Sequence, residues 1–345
     1  MYADKRENSG RSAGEINTSS SIILAICVHP IHRGFDVEMS ALCTRIAPCL
    51  GQKSGCQAGG ILFGFNRLSI NNSPKKLLVT GGAGFIGSHL CEALVRAGHE
   101  LVILDDFNDY YDPAVKETNL ASLQGKVEIV RGDISDDAVV VDTFTRHRFD
   151  GVFHLAARAG VRPSIANPRL YFNTNMDGTL NLLEASRHHG VKFFVFASSS
   201  SVYGVNTKVP FSETDLIART ISPYAATKLA GEQMCSNYAH LFGLRCMCLR
   251  FFTVYGPRQR PDLAISKFTT ALLAGRAIDR YGDGSTARDY TYVDDIVRGI
   301  LAAADYTEKS SFEIFNLGGA ATTTQRADRV GGECRGSPGG DPATA

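Results

Sequence analysis

The stretch LLVTGGAGFIGSHL, residues 77–90, restricts the possible folds of this chain more than any other feature. An apolar run of β type leads straight into Gly81, Gly84 and Gly87, and an apolar-periodic helical pattern leaves them. The first glycine permits a tight turn, the second a close approach of backbone to a pyrophosphate, and the third close packing of helix on strand. The helix that opens around Phe85 and Ile86 offers unpaired N–H groups and the positive end of its dipole to an anion. Gly81, Gly84, Phe85, Ile86 and Gly87 are therefore candidate dinucleotide contacts.

The pattern on both sides supports this. Short continuous apolar runs predict strands at 76–80, 100–105, 127–131, 151–155, 193–197, 245–251 and 312–317. Helical periodicity falls between them at 86–97, 138–147, 176–188 and 223–242, and later at 267–274 and 293–304. Runs that are apolar throughout mark strands covered on both faces, and β–α alternation predicts a doubly wound parallel sheet, an α/β Rossmann architecture. Such sheets bind ligands beyond the carboxyl ends of their strands. Asp105 ends the second strand, eighteen positions after Gly87, where an acid accepts from the ribose hydroxyls and repels a 2′-phosphate. That favours NAD over NADP, and no arginine stands within 104–109 to offset it. Asp133 and Ile134 follow the third strand, in reach of an adenine; Asp133 is equally placed to cap the next helix.

Bulk properties exclude several function classes. With 36 basic against 35 acidic side chains, no global field draws the chain to nucleic acid or anionic lipid. The early apolar run, 21–28, is far short of the roughly 18 residues a membrane span requires, and polar residues precede it where a signal peptide would be basic and short. Nine scattered cysteines without a CxxC pair resemble neither a disulfide framework nor a zinc site, so no metal is expected and the location is read as cytoplasmic. The domain reading is a non-family extension at 1–74, poorly ordered; an NAD-binding domain at 75–254 plus 291–319; part of a small substrate domain at 255–290; and a disordered tail at 320–345.

Three further segments add chemistry: FASSSSVYG (196–204), SPYAATK (222–228) and LRFFTVYGPRQRPD (249–262). Tyr224 and Lys228 stand i, i+4 on a helix opened by Ser222 and Pro223, so they share a face. A tyrosine is a weak base at its free pKa; a nearby ammonium favours the phenolate. Taken with the glycine loop and HLAARAGVRPSI (154–165), these segments resemble the extended short-chain dehydrogenase/reductase family, and within it the UDP-glucuronate 4-epimerases. The resemblance covers about residues 75–320.

It implies Tyr224 as general base, Lys228 as its partner and a holder of the nicotinamide ribose, and Ser199 as donor to the substrate hydroxyl. It implies Ser200, Ser201 and Thr253 at the sugar, Arg260 at the sugar carboxylate, and Arg288 at the nucleotide diphosphate. The implied reaction is oxidation of a UDP-sugar at C4, rotation of the 4-keto sugar and return of the hydride, with NAD regenerated. Related dehydratases and UDP-glucuronate decarboxylases typically carry an acid before VYG, where this chain has SSSS. That absence favours an epimerase, while decarboxylase, UDP-hexose epimerase and an inactive NAD-binding remnant stay open. The family also implies a homodimer formed through the helices at 176–188 and 223–242. Both ends of the chain depart from the family pattern, a texture compatible with a wrong translation start and, after 324, a shifted reading frame; an incomplete substrate domain is expected.

Overall fold

A computed structural model describes residue 70, residues 73–277, 287–318 and 320–323. Seven strands form one sheet: β1 (Lys76–Thr80), β2 (Glu100–Asp105), β3 (Glu128–Arg131), β4 (Gly151–His154), β5 (Phe193–Ser199), β6 (Arg245–Phe251) and β9 (Phe312–Leu317). Every neighbouring pair is parallel, in the order β3-β2-β1-β4-β5-β6-β9. The order reverses direction between β1 and β4, which opens a crevice at their carboxyl ends. This is the Rossmann arrangement expected from the alternation of runs.

The two-residue period of each strand builds two cores. Leu77, Val79, Ile103, Phe153 and Met247 face one side and pack under α1 (Phe85–Arg96) and α9 (Val293–Tyr306). Leu78, Val102, Leu104, Phe194 and Cys248 face the other, under α3 (Asp137–Arg146), α6 (Gly178–His188) and α7 (Pro223–Phe242). Burial on both faces leaves no polar alternation, which is why the strands read as unbroken apolar runs.

Four strands and α7 match the predicted bounds, and the other edges move by one to a few residues. The helix expected to start at 176 begins as a π-helical turn, Asn173–Asp177, continuous with α6. Short helices α2 (Pro113–Asn119), α4 (Val161–Ala166) and α5 (Pro168–Phe172) went unpredicted; an Asx cap followed by proline starts α2 and α5, α4 starts uncapped after Gly160, and in all three the periodicity is too brief to register. A second sheet, β10-β8-β7, also lay outside the expectation. It joins β7 (Thr253–Tyr255), β8 (Ala287–Tyr292) and β10 (Ala320–Thr323), while α8 (Ala264–Leu273) follows β7 in the chain. The tail boundary drawn at 320 is thereby corrected, because 320–323 pairs antiparallel with 287–290. The rest of that tail, and the 1–74 extension apart from residues 70, 73 and 74, lie outside the described residues.

Candidate active site

The cleft at the sheet's carboxyl edge has a volume of about 1520 Å³. Its floor begins at the glycine turn. Gly81 has φ +71°, and a Cβ there would meet the Ala156 nitrogen at 2.6 Å, so β1 and β4 can approach only through glycine. A Cβ on Gly87 would lie 2.1 Å from the Gly81 carbonyl oxygen, so helix and turn can pack this closely only without a side chain. No side chain caps α1, and Gly84, Phe85, Ile86 and Gly87 line the cleft. An uncapped helix start beside a turn with no room for a Cβ fits the pyrophosphate of a dinucleotide.

Asp105 sits at the next strand end, buried, its oxygens accepting from the N–H groups of Ala83 (3.1 Å) and Phe107 (2.9 Å). Burial pushes its carboxyl up, opposed by Lys116, whose Nζ stands 3.7 Å away. Each carboxylate oxygen has a second lone pair for a ribose hydroxyl. The stretch 104–109 holds no arginine, yet the fold delivers one from the segment after β4: Arg158 meets Asp106 at 2.8 Å and Asp133 at 3.8 Å. Asp106 thereby pairs with this arginine, and Lys116 also stands 3.8 Å from the same carboxylate. Asp133 does not cap α3, because Asp136 does; its oxygen instead accepts from Ser135 N–H, and Asp133 and Ile134 both line the cleft.

The reacting end is built by β5 and α7. Ser222 caps α7 through Ala225 N–H at 3.1 Å, with Pro223 in the first turn, and this starts the helix so that Tyr224 and Lys228 face β5. The Tyr224 phenol is half-buried and lines the cleft together with Ser199. Its ring stands edge-on to Tyr171 at 6.3 Å. The Ser199 and Ser201 hydroxyls lie 2.5 Å apart. Ser199, Ser200, Ser201, Tyr224, Lys228, Thr253, Arg260 and Arg288 all line the same cleft as the glycine turn. Thr253 opens β7, and Arg288 lies on β8.

The electrostatics differ from expectation at one point. Burial pushes the Tyr224 phenol up, and the groups that pull it down are Ser199, by hydrogen bond, and Arg260, by charge. Lys228 turns its ammonium to the Ala197 carbonyl at 2.7 Å and lies 4.9 Å over the Phe196 ring. Its burial lowers its own pKa from 10.5 to about 8. A lysine depressed in the fold binds fewer protons there than in the unfolded chain, so the stability it contributes is present above pH 10.5 and lost as pH falls through about 8. Without added nucleotide, wild type should gain roughly 3 kcal/mol over Lys228→Met between pH 8 and 10.5. Urea unfolding at four pH values checks this; parallel profiles would show that the ammonium is not desolvated.

Several residues escaped the sequence reading. Asn175, in the π-helical turn, accepts from Arg158 N–H (2.8 Å) and donates to the Arg158 carbonyl and to Thr227 (both 3.0 Å), tying the end of β4 to α7. His154 reaches Thr80 at 2.8 Å and Thr179 at 2.9 Å. Thr179 spends its proton on the Asn175 carbonyl, so its oxygen accepts from Nε2–H, and Nδ1 accepts from Thr80. The neutral ring this requires agrees with a pKa lowered well below normal by burial. Lys116, Arg158 and Tyr110 also line the cleft.

A parallel sheet with a phosphate-binding turn, and a tyrosine, lysine and serine gathered at its carboxyl edge, define a nucleotide-dependent oxidoreductase-type fold. The chain belongs to the NAD dependent epimerase/dehydratase family, whose profile matches residues 77–318. It is similar to UDP-glucuronate 4-epimerase 3 of Arabidopsis thaliana, 48% identical over 258 residues, covering 70% of this chain and 60% of that protein. The chain thus spans about three fifths of the length of this plant relative. Among solved structures it is similar to the UDP-glucuronic acid 4-epimerase of Bacillus cereus in complex with UDP-glucuronic acid and NAD, with 37% identity and a TM-score of 0.68, over 74% of this chain and 83% of that one. A Thermotoga maritima UDP-glucose 4-epimerase with UDP-glucose aligns at 37% identity and a TM-score of 0.69, over 75% and 82%.

Proposed function

We propose that this chain is an NAD-dependent 4-epimerase of a UDP-sugar, interconverting UDP-glucuronate and UDP-galacturonate. The observation that carries the reading is the convergence of Tyr224, Ser199 and Lys228 in the same cleft as the glycine turn. The uncapped start of α1, Gly81, Gly84, Gly87, Asp105, Asp133 and Ile134 would hold NAD, which supplies a reversible hydride acceptor when bound.

The residues then act as follows. Ser199 and the Tyr224 oxygen bracket the 4-hydroxyl; Tyr224 as phenolate takes its proton and returns it to the 4-oxygen once the sugar has turned its other face inward. Lys228, anchored on Ala197, faces the ribose side of the cleft. Ser200, Ser201 and Thr253, all in the cleft lining, are assigned to the sugar, and Arg288, in the same lining, to the diphosphate. Arg260 supplies a guanidinium suited to a carboxylate. Residues 198–201 are all serine, so no acid stands there for a second proton transfer, and this disfavours dehydration or decarboxylation.

Incubation with UDP-glucuronate should yield UDP-galacturonate by chromatography. UDP-xylose would identify a decarboxylase; nucleotide binding without turnover would identify a remnant. The reading includes a homodimer through α6 and α7, supported by exposed Leu180, Leu241 and Phe242, which size-exclusion chromatography tests. It also includes a cytoplasmic location, supported by four buried, unpaired thiols, Cys91, Cys235, Cys246 and Cys248. Among the described residues, no helix is long and apolar enough to cross a membrane.

A further inference from the structure

The loop after β7 holds Arg260 in an unusually determined pose. Gly256 has φ +143°, and a Cβ there would meet Val293 at 2.8 Å. Arg258 is left-handed at φ +63°, a conformation that a residue with a Cβ adopts only when its surroundings enforce it. Here the enforcement is visible. Arg258 reaches back to α1, pairing with Glu92 at 2.6 Å and donating to Ser88 at 3.3 Å, and His89 lies 3.0 Å from the Pro257 carbonyl. Gln259 donates to the Val254 carbonyl at 2.9 Å. Arg258 is thus spent on the cofactor helix, while Arg260, two residues later, lines the cleft.

Arg260 does not enter the cleft with a free fork. Its Nε and Nη2 donate to the two oxygens of Asp262 at 2.9 and 2.7 Å. Asp262 in turn accepts from the Tyr110 hydroxyl at 3.3 Å, and the Tyr110 ring lies under the guanidinium at 5.4 Å. A guanidinium has five donors, and this pairing uses one side of the fork, leaving Nη1 and one Nη2 hydrogen. Asp262 is absent from the cleft lining, whereas Arg260 and Tyr110 are part of it. The carboxylate therefore grips the arginine from behind.

We propose that Asp262, braced by Tyr110, is a positioning residue that turns the open edge of Arg260 toward the substrate's carboxylate and so sets the preference for a uronate over a neutral sugar. This rests on the uronate reading above. The pairing takes the Nε–Nη2 edge of the fork and leaves Nη1 and one Nη2 hydrogen for a second carboxylate. The arrangement holds the guanidinium in one orientation before substrate arrives, which removes an ordering cost from binding.

The test is calorimetric binding of UDP-glucuronate, UDP-glucose and UDP to wild type, Asp262→Asn and Tyr110→Phe. Asp262→Asn should weaken UDP-glucuronate about tenfold while UDP-glucose and UDP change less than about twofold. Tyr110→Phe, which removes only the brace from a partly exposed ring, should weaken UDP-glucuronate alone by about threefold. Tighter binding of UDP-glucuronate by Asp262→Asn would mean that the acid masks Arg260, and it would overturn the proposal. So would equal losses for all three ligands, or a wild-type preference that survives both variants. If wild type itself shows no preference for the uronate, the uronate reading fails first and the positioning role falls with it.

Discussion

Tyr224→Phe is expected to slow interconversion of UDP-glucuronate about a thousandfold while bound nucleotide is retained. The change deletes one oxygen. The ring keeps its edge-on contact with Tyr171, and the α7 cap made by Ser222 is untouched. The glycine turn, Asp105 and Lys228 lie on other side chains, so the cofactor cradle loses nothing. What disappears is the group that takes the 4-hydroxyl proton. Ser199 alone still accepts and donates, but a serine hydroxyl is too weak a base to replace a phenolate. Burial pushes the phenol up, so its proton leaves with help from Ser199 and Arg260, the groups that pull it down. Single-turnover assays on protein of measured nucleotide content check the expectation. Turnover within about tenfold of wild type would remove Tyr224 as base.

The sequence made the sheet legible because continuous apolar runs and glycine punctuation are local signals. β1, β2, β6 and β9 fall on their predicted residues for that reason. The gathering of Tyr224, Lys228 and Ser199 was legible for a different reason: two lie one helical turn apart, and the third ends a strand that must face the same edge. Contacts made across the fold were not legible. Arg158 arrives beside Asp106 from the segment after β4, fifty-two positions later in the chain, and nothing near either residue announces the pair. The cation expected to act on Tyr224 was Lys228, by proximity on the helix. In the fold, Lys228 spends its ammonium on Ala197, and the charge felt at the phenol comes from Arg260. The small sheet was missed because β7 has three residues and β8 reads ARDYTY, too short and too polar to show a buried period. Its partner β10 lies in a stretch whose composition suggests a tail; pairing with β8, not apolar content, makes it a strand.

A last expected result concerns the buried ion pair beneath the serine strand end. Arg250 on β6 donates from Nε and Nη2 to Glu232 on α7 at 2.9 and 2.8 Å, and Ser198 donates to the same carboxylate at 2.5 Å. Arg250 is 2% exposed and Glu232 is fully buried. The guanidinium also lies 4.8 Å over the Tyr203 ring, whose hydroxyl donates to Asn316 at 2.7 Å on β9. Arg250→Met should therefore destabilise the protein by about 3–5 kcal/mol, because Glu232 is left charged or neutral in an apolar site with only Ser198 to answer it. The double replacement Glu232→Met with Arg250→Met should recover most of that loss, since two apolar side chains of similar length remove the stranded charge. Ser198 would then lack its acceptor, which leaves a residual deficit of about 1 kcal/mol. Urea unfolding at neutral pH of the wild type, both single variants and the double variant forms the cycle. A single-variant loss below about 1 kcal/mol would show that water already reaches the pair. The pair also stands next to the reacting groups, because Ser198 precedes Ser199 and Glu232 stands one turn beyond Lys228 on α7. A double variant that regains stability but not turnover would locate the value of the pair in holding the Ser199 strand end against the helix that carries Tyr224.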